Sequence, residues 1–176
     1  TLATLLWPDY GQSAARGHLR RELARLRDLL GEAFFAADRE QIALAASPAG
    51  QPALQVDVIT FQHAVTAAQH CRHTAATHCP TCLPHLIAAD ACYRDHFLAG
   101  FTLPDSPAFD QWQFQEGEEL RAELAGALER LVRGYTAQQA WEQAIAYARR
   151  WLALDPLHEP VQRWLMQLYA WSGQPS

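Results

Sequence analysis

The sequence predicts a mainly α protein in which a short helix-and-hairpin part precedes an all-α region. Three observations carry this reading. Apolar residues recur at helical spacing over residues 13–30 and again in a series of stretches from residue 57 to 172. Strand-like patterning is confined to one short stretch, residues 34–45, and disappears after Val56. Between the two regions lies SPAGQPALQ, residues 47–55, whose two prolines and glycine mark a linker.

Residues 1–6 read as the end of a helix, so that the chain begins in mid-element. The helix stops at Trp7-Pro8, because proline disfavours helical geometry in the residue before it. Ser13 is placed to cap a second helix, SAARGHLRRELARLRDLLG, that closes at Gly31. At about 100° per residue, Leu19, Leu23, Leu26 and Leu30 share an arc of about 60°. Arg20, Arg21 and Arg25 point away from that arc, and Arg16 and Arg27 flank it. The helix therefore has a core face and a basic face. Between Arg16 and Arg27 five arginines face a single acid, Glu22, in a chain whose formal charge is -5. AFFAADREQIALA follows, two apolar runs (34–37 and 42–45) around a polar DREQ, which reads as a hairpin with Arg39 at its tip. A basic helix followed at once by a hairpin is a winged-helix pattern.

Beyond the linker, helices are expected over roughly 57–70, 83–98, 107–134, 137–154 and 159–172, with Pro104, Pro107, Pro156 and Pro160 as punctuation. Leu131 and Leu165 are 34 residues apart, as are Tyr135 and Tyr169, which is the tetratricopeptide period. Counted back from Pro156, Leu128, Leu131, Tyr135 and Ala144 fall on the repeat's pattern positions, whereas Val132, Ala148 and Trp151 depart from it. The second copy breaks off at SGQPS.

With 176 residues, 49% of them apolar, the chain can bury a core without a metal. The net charge of -5 argues against a surface that attracts nucleic acid as a whole, so any such contact has to come from a local basic patch. No apolar run approaches the roughly 18 residues of a membrane span, and TLATLLWPDYG lacks the basic start and cleavage site of a signal peptide. These features predict a cytoplasmic protein without membrane contact. His158-Glu159-Pro160 is not H-E-x-x-H, and neither G-x-x-x-x-G-K-[ST] nor G-x-S-x-G occurs, so no catalysis is expected.

HCRHTAATHCPTCLPH, residues 70–85, gathers three of the four cysteines and four of the eight histidines. In a reducing compartment a clustered C-x-x-C points to metal or redox chemistry rather than a disulfide. A structural zinc ion needs about four N or S ligands converging tetrahedrally. Cys79-Pro80-Thr81-Cys82 supplies two, and the preferred set is Cys71, His73, Cys79 and Cys82, with His70 replacing Cys71 as a variant. A redox role lacks the βαβ context it needs, and a solvated loop with no metal is the bland alternative. Cys92, beside Tyr93 on an apolar helix face, reads as core. Trp112, Trp141, Trp151, Trp164 and Trp171 read either as inter-helix packing or as the lining of a concave peptide groove.

YRDHFLAGFTLPDSPAFDQWQFQEGEELR (93–121) and LALDPLHEPVQRWLMQLYAWSGQ (152–174) resemble the bacterial transcriptional activator domain. This tetratricopeptide-like module follows a winged helix in the antibiotic-regulatory-protein (SARP) class of activators and in their large ATPase-containing relatives. Residues 1–46 resemble the second half of that winged helix: TLATLLWPD the end of its second helix, 13–30 its recognition helix, and 33–45 its wing. Tyr93-Arg94-Asp95 stands where the family has a YRG-type turn, and the stretch 70–82 sits as an insertion before it. The expected organisation is a partial winged-helix DNA-binding domain (1–46), a linker (47–55) and a tetratricopeptide-like activator domain (56–176).

The resemblance implies a piece of a transcriptional regulator whose intact parent binds DNA and whose helical domain self-associates or binds a protein partner. Arg16, Arg20, Arg21 and Arg25 would then contact phosphates or base edges in a major groove, and Arg39 the adjacent backbone or minor groove. Arginine suits this because its planar fork bonds guanine or phosphate bidentately. The alternatives are a solvated face, with Arg25 pairing to Glu22 or Asp28, and a protein-binding module with a zinc clasp and no DNA contact of its own.

Overall fold

A computed structural model describes residues 1–38, 41–45, 55–70 and 81–173. The chain divides into two compact units, Thr1–Val56 with Leu98–Gln115, and Asp57–Phe97 with Glu116–Ser176. Residues 98–115 thus group with the N-terminal unit although they lie well beyond the linker in sequence.

In the first unit, α1 (Leu2–Leu6) is capped by Thr1, whose side chain accepts the Thr4 amide. Helix α2 (Gln12–Leu30) starts two residues earlier than the Ser13 cap predicts, with Gly11 as N-cap and no side-chain cap bond. Its end agrees with the reading: Gly31 has φ +101°, a region glycine enters without a Cβ penalty. A single 3₁₀ turn (Glu32–Phe34) leads into the antiparallel hairpin β1 (Phe35–Ala37) and β2 (Ile42–Leu44), with Ala36 opposite Ala43. The leucine stripe of α2 is only partly covered: Leu19 and Leu23 are half-buried, but Leu26 and Leu30 remain 40% and 44% exposed. The same unit buries Ala3, Ala15 and Phe109, and the Ser106 hydroxyl donates to the Leu5 carbonyl at 2.8 Å. Gln113 donates to the carbonyls of Leu98 and Phe101, tying down a turn in which Leu98 has φ +52°.

The second unit holds α3 (Asp57–His70), α4 (Cys82–Cys92), the later part of α5 (Pro107–Ala137), α6 (Trp141–Leu154) and α7 (Glu159–Ser172). Helix α3 packs with α4, and α6 with α7. Leu120, Leu124, Ala127, Leu128, Leu131 and Val132 form a buried stripe on α5 at helical spacing, sharing one core with Phe61, Leu86, Ile145, Trp151, Val161 and Leu168. Leu131 and Leu165 are both buried, and Tyr135 and Tyr169 both pack against that core, so the 34-residue spacing marks equivalent inward positions. Tyr135 also stacks on Tyr147 at 5.5 Å, and burial pushes the Tyr147 phenol above its ordinary range.

Three arginines complete helix C-termini, where the last carbonyls lack partners within their own helix. Arg130 donates to Ala68 O near the end of α3, Arg121 to Leu154 O at the end of α6, and Arg150 to Asp90 O and Tyr93 O at the end of α4. The last contact explains a difference from the sequence reading. A helix was expected to run to residue 98, but α4 ends at Cys92 and Arg150 takes the carbonyls released there. Helix α6 likewise begins at Trp141 instead of 137, after a turn in which Gln139 has φ +57°.

Candidate nucleic-acid interface

Helix α2, α1 and the hairpin enclose an open groove of about 650 Å³. Its lining includes Leu2 and Ala3 from α1, Leu19 and Leu23 from α2, and Ile42 from β2, an apolar floor. Arg16, Arg20 and Arg27 also line it, with Asp38 as the one carboxylate among the described lining residues. Among the described residues, none of these three guanidinium groups has an ion pair or hydrogen bond. By contrast, Arg121, Arg133 and Arg163 are each paired to a glutamate on their own helix.

The sequence grouped Arg20 with Arg21 and Arg25, but the structure divides these residues differently. Arg16, Arg20 and Arg27 share the groove, whereas Arg25 is paired to Glu22 at 2.8 Å and Arg21 donates to His18 Nδ1 at 2.9 Å. The Arg25–Glu22 pair is one of the two that the residue spacing foresaw. It is exposed and is worth about 0.5 kcal/mol, little enough for a phosphate to displace it. Arg27 was missed as a groove residue because it flanks the leucine arc, and its long side chain can lie over that apolar stripe with its head at the rim. Arg39 lies outside the described residues.

In the second unit a smaller cleft of about 410 Å³ is lined by Ala122, Ala125, Gly126, Trp151, Asp155 and His158, among others. The tryptophans pack with neighbours: Trp151 with Trp164 and His158, and Trp141 with Trp171. Arg133 lies over the Trp164 ring, 5.5 Å from its centroid.

The family model of the bacterial transcriptional activator domain matches residues 56–176. The chain belongs to this family. No curated protein matches it. The activator domain covers α3 to α7, while α1, α2 and the hairpin precede the matched range. No described helix of the chain is long and apolar enough to cross a membrane.

Of the residues expected to hold zinc, Cys71, His73 and Cys79 lie outside the described residues. Cys82 is buried at the start of α4 in the activator domain, its Sγ 3.7 Å from Ala68 O. The variant ligand His70 ends α3, its Nδ1 2.8 Å from Thr66 O. Among the described residues no three His, Cys, Asp or Glu side chains come together as a metal site. Cys92 packs against the activator-domain core, as its place beside Tyr93 suggested.

Proposed function

We propose that the chain is part of a bacterial transcriptional regulator in which the basic helix α2 contacts DNA and the activator domain carries the protein-binding or self-associating function. The observation that carries this reading is the set of three guanidinium groups, Arg16, Arg20 and Arg27, without a partner among the described residues, on one groove of an otherwise acidic chain. Backbone phosphates supply the charge such a set lacks, and the hairpin beside it fits the role of a wing. Arg21, Arg25 and Arg39 belong to the same proposed surface, the first two by exchanging their present partners for phosphate.

The test is fluorescence anisotropy of a labelled DNA duplex titrated with the chain over a salt series. Binding should weaken steeply with salt, and the double substitution Arg16→Gln, Arg20→Gln should flatten the slope of log K against log salt by about 2. Unchanged binding and slope would remove this surface from the DNA reading.

A protein-binding module without DNA contact is the second reading, supported by the cleft between α5 and α6 beside Trp151. In that case the arginine variants leave partner binding intact, and substitutions lining the cleft abolish it. A structural zinc clasp at Cys71, His73, Cys79 and Cys82 is compatible with either reading. It requires the Cys82 thiol to turn away from the Ala68 carbonyl. Elemental analysis decides: about one equivalent of zinc, whose removal by chelator lowers Tm, is the expected result for a clasp. Metal-free protein with an unchanged melt rejects it.

A further inference from the structure

We propose that His18 is a positioning residue for Arg21. While its ring is neutral it holds the guanidinium beside the helix, and on gaining a second proton it releases Arg21 to a DNA phosphate. This inference rests on the DNA-contact reading above and adds a regulating element to that surface.

Arginine carries only donors, so the 2.9 Å contact between Arg21 Nη2 and His18 Nδ1 requires the Nδ1 lone pair to accept. The ring in this geometry is therefore neutral and carries its proton on Nε2. Two aromatic side chains from the turn before α2 fix its orientation. Trp7 stacks on it at 5.7 Å with the planes 23° apart, and Tyr10 meets it edge-on at 4.6 Å. A second proton, placed on Nδ1, turns the acceptor into a donor and sets two cations side by side. The aromatic neighbours tolerate an imidazolium because ring faces attract cations. The histidine therefore stays in place and the long arginine side chain moves away.

The surrounding charges do not oppose this. On the same helix Glu22, one turn further on, is engaged by Arg25. In the packed turn the ionisable groups are the Tyr10 phenol and Asp9, which lies between the two aromatic residues. Histidine is the side-chain type that changes charge between about pH 5 and 8, so duplex binding is followed over that range.

The experiment measures duplex affinity of the 176-residue chain across that pH range, for the unaltered protein, His18→Phe and His18→Gln. In the unaltered protein affinity should rise several-fold as pH falls, and the salt slope should steepen by about 1 as one more phosphate contact forms. His18→Phe keeps an aromatic ring but has no acceptor, so its binding should be tight and flat with pH. His18→Gln keeps a neutral acceptor that does not titrate, so its binding should be weak and flat. A residue that merely stabilised the fold would not shift affinity in opposite directions in these two variants. Equal pH dependence in all three proteins overturns the proposal.

Long-range proton–nitrogen correlation spectra without DNA separate the two readings. A neutral His18 protonated on Nε2, with Arg21 guanidinium signals that follow its titration, is the expected result. If no duplex binds at any pH, the DNA reading fails and these spectra alone judge the contact. The opposite tautomer, or arginine signals indifferent to His18, overturns the positioning role whatever the DNA result.

Discussion

Leu128→Ala lowers the unfolding free energy of the helical unit by about 3 kcal/mol, within the range of about 2 to 5 for a leucine truncated in a packed core. Leu128 is fully buried on α5, between the turns that carry Leu124 and Leu131, which are buried as well. Its removal leaves a cavity that a close-packed interior closes only in part, so the loss exceeds the transfer free energy of the deleted carbons. The matched control is Leu157→Ala. Leu157 is 89% exposed in the turn before α7, and its truncation should stay within about 0.5 kcal/mol. Urea unfolding followed by circular dichroism makes the comparison. A shift in midpoint at constant slope is the expected signature, and equal midpoints for the two variants would contradict the assigned core.

Arg150→Met is expected to cost about 2 kcal/mol, and Asp90→Ala about 1. The asymmetry follows from the number of groups each change leaves unmet. Arg150 donates to the Asp90 carboxylate and also to the backbone carbonyls of Asp90 and Tyr93, the latter at 2.6 Å. Methionine retains the apolar stem and leaves one carboxylate and two carbonyls without the guanidinium. Removing the Asp90 carboxylate costs the arginine only one of three acceptors, and the arginine side chain, 41% exposed, can take water instead. The double variant should not recover stability, since the Tyr93 carbonyl still lacks the guanidinium and the Asp90 carbonyl keeps only the Tyr93 amide. A double variant as stable as the unaltered protein would show that the ion pair alone matters and that the carbonyl contacts do not.

Much of this protein was legible in its sequence. The stripe on α5, the punctuation by Pro107, Pro156 and Pro160, the close at Gly31 and the hairpin over residues 35–44 follow from short-range periodicity and backbone preference. The resemblance to the activator-domain family rested on segments that lie within the matched range. The candidate interface was legible as a composition, five arginines on one helix, but not as a geometry. A helical wheel places Cα atoms, whereas the groove is lined by side chains meeting α1 and the hairpin, and so Arg27 joins Arg16 and Arg20. His18 carried no signal of its own, since its role depends on Trp7 and Tyr10 closing around it.

By itself, then, the sequence determined which segments are helical and, on α2, which face is apolar, because both depend on spacings of only three or four residues. Tertiary structure decided where α4 stops, which arginines share a groove and which segment joins the first unit. Each of those depends on partners far away in the chain. Arg150 takes a carbonyl 60 residues before it, and Ser106 donates to a carbonyl 101 residues before it. Local propensity cannot encode such partners, because they come within hydrogen-bonding distance only when the chain has packed.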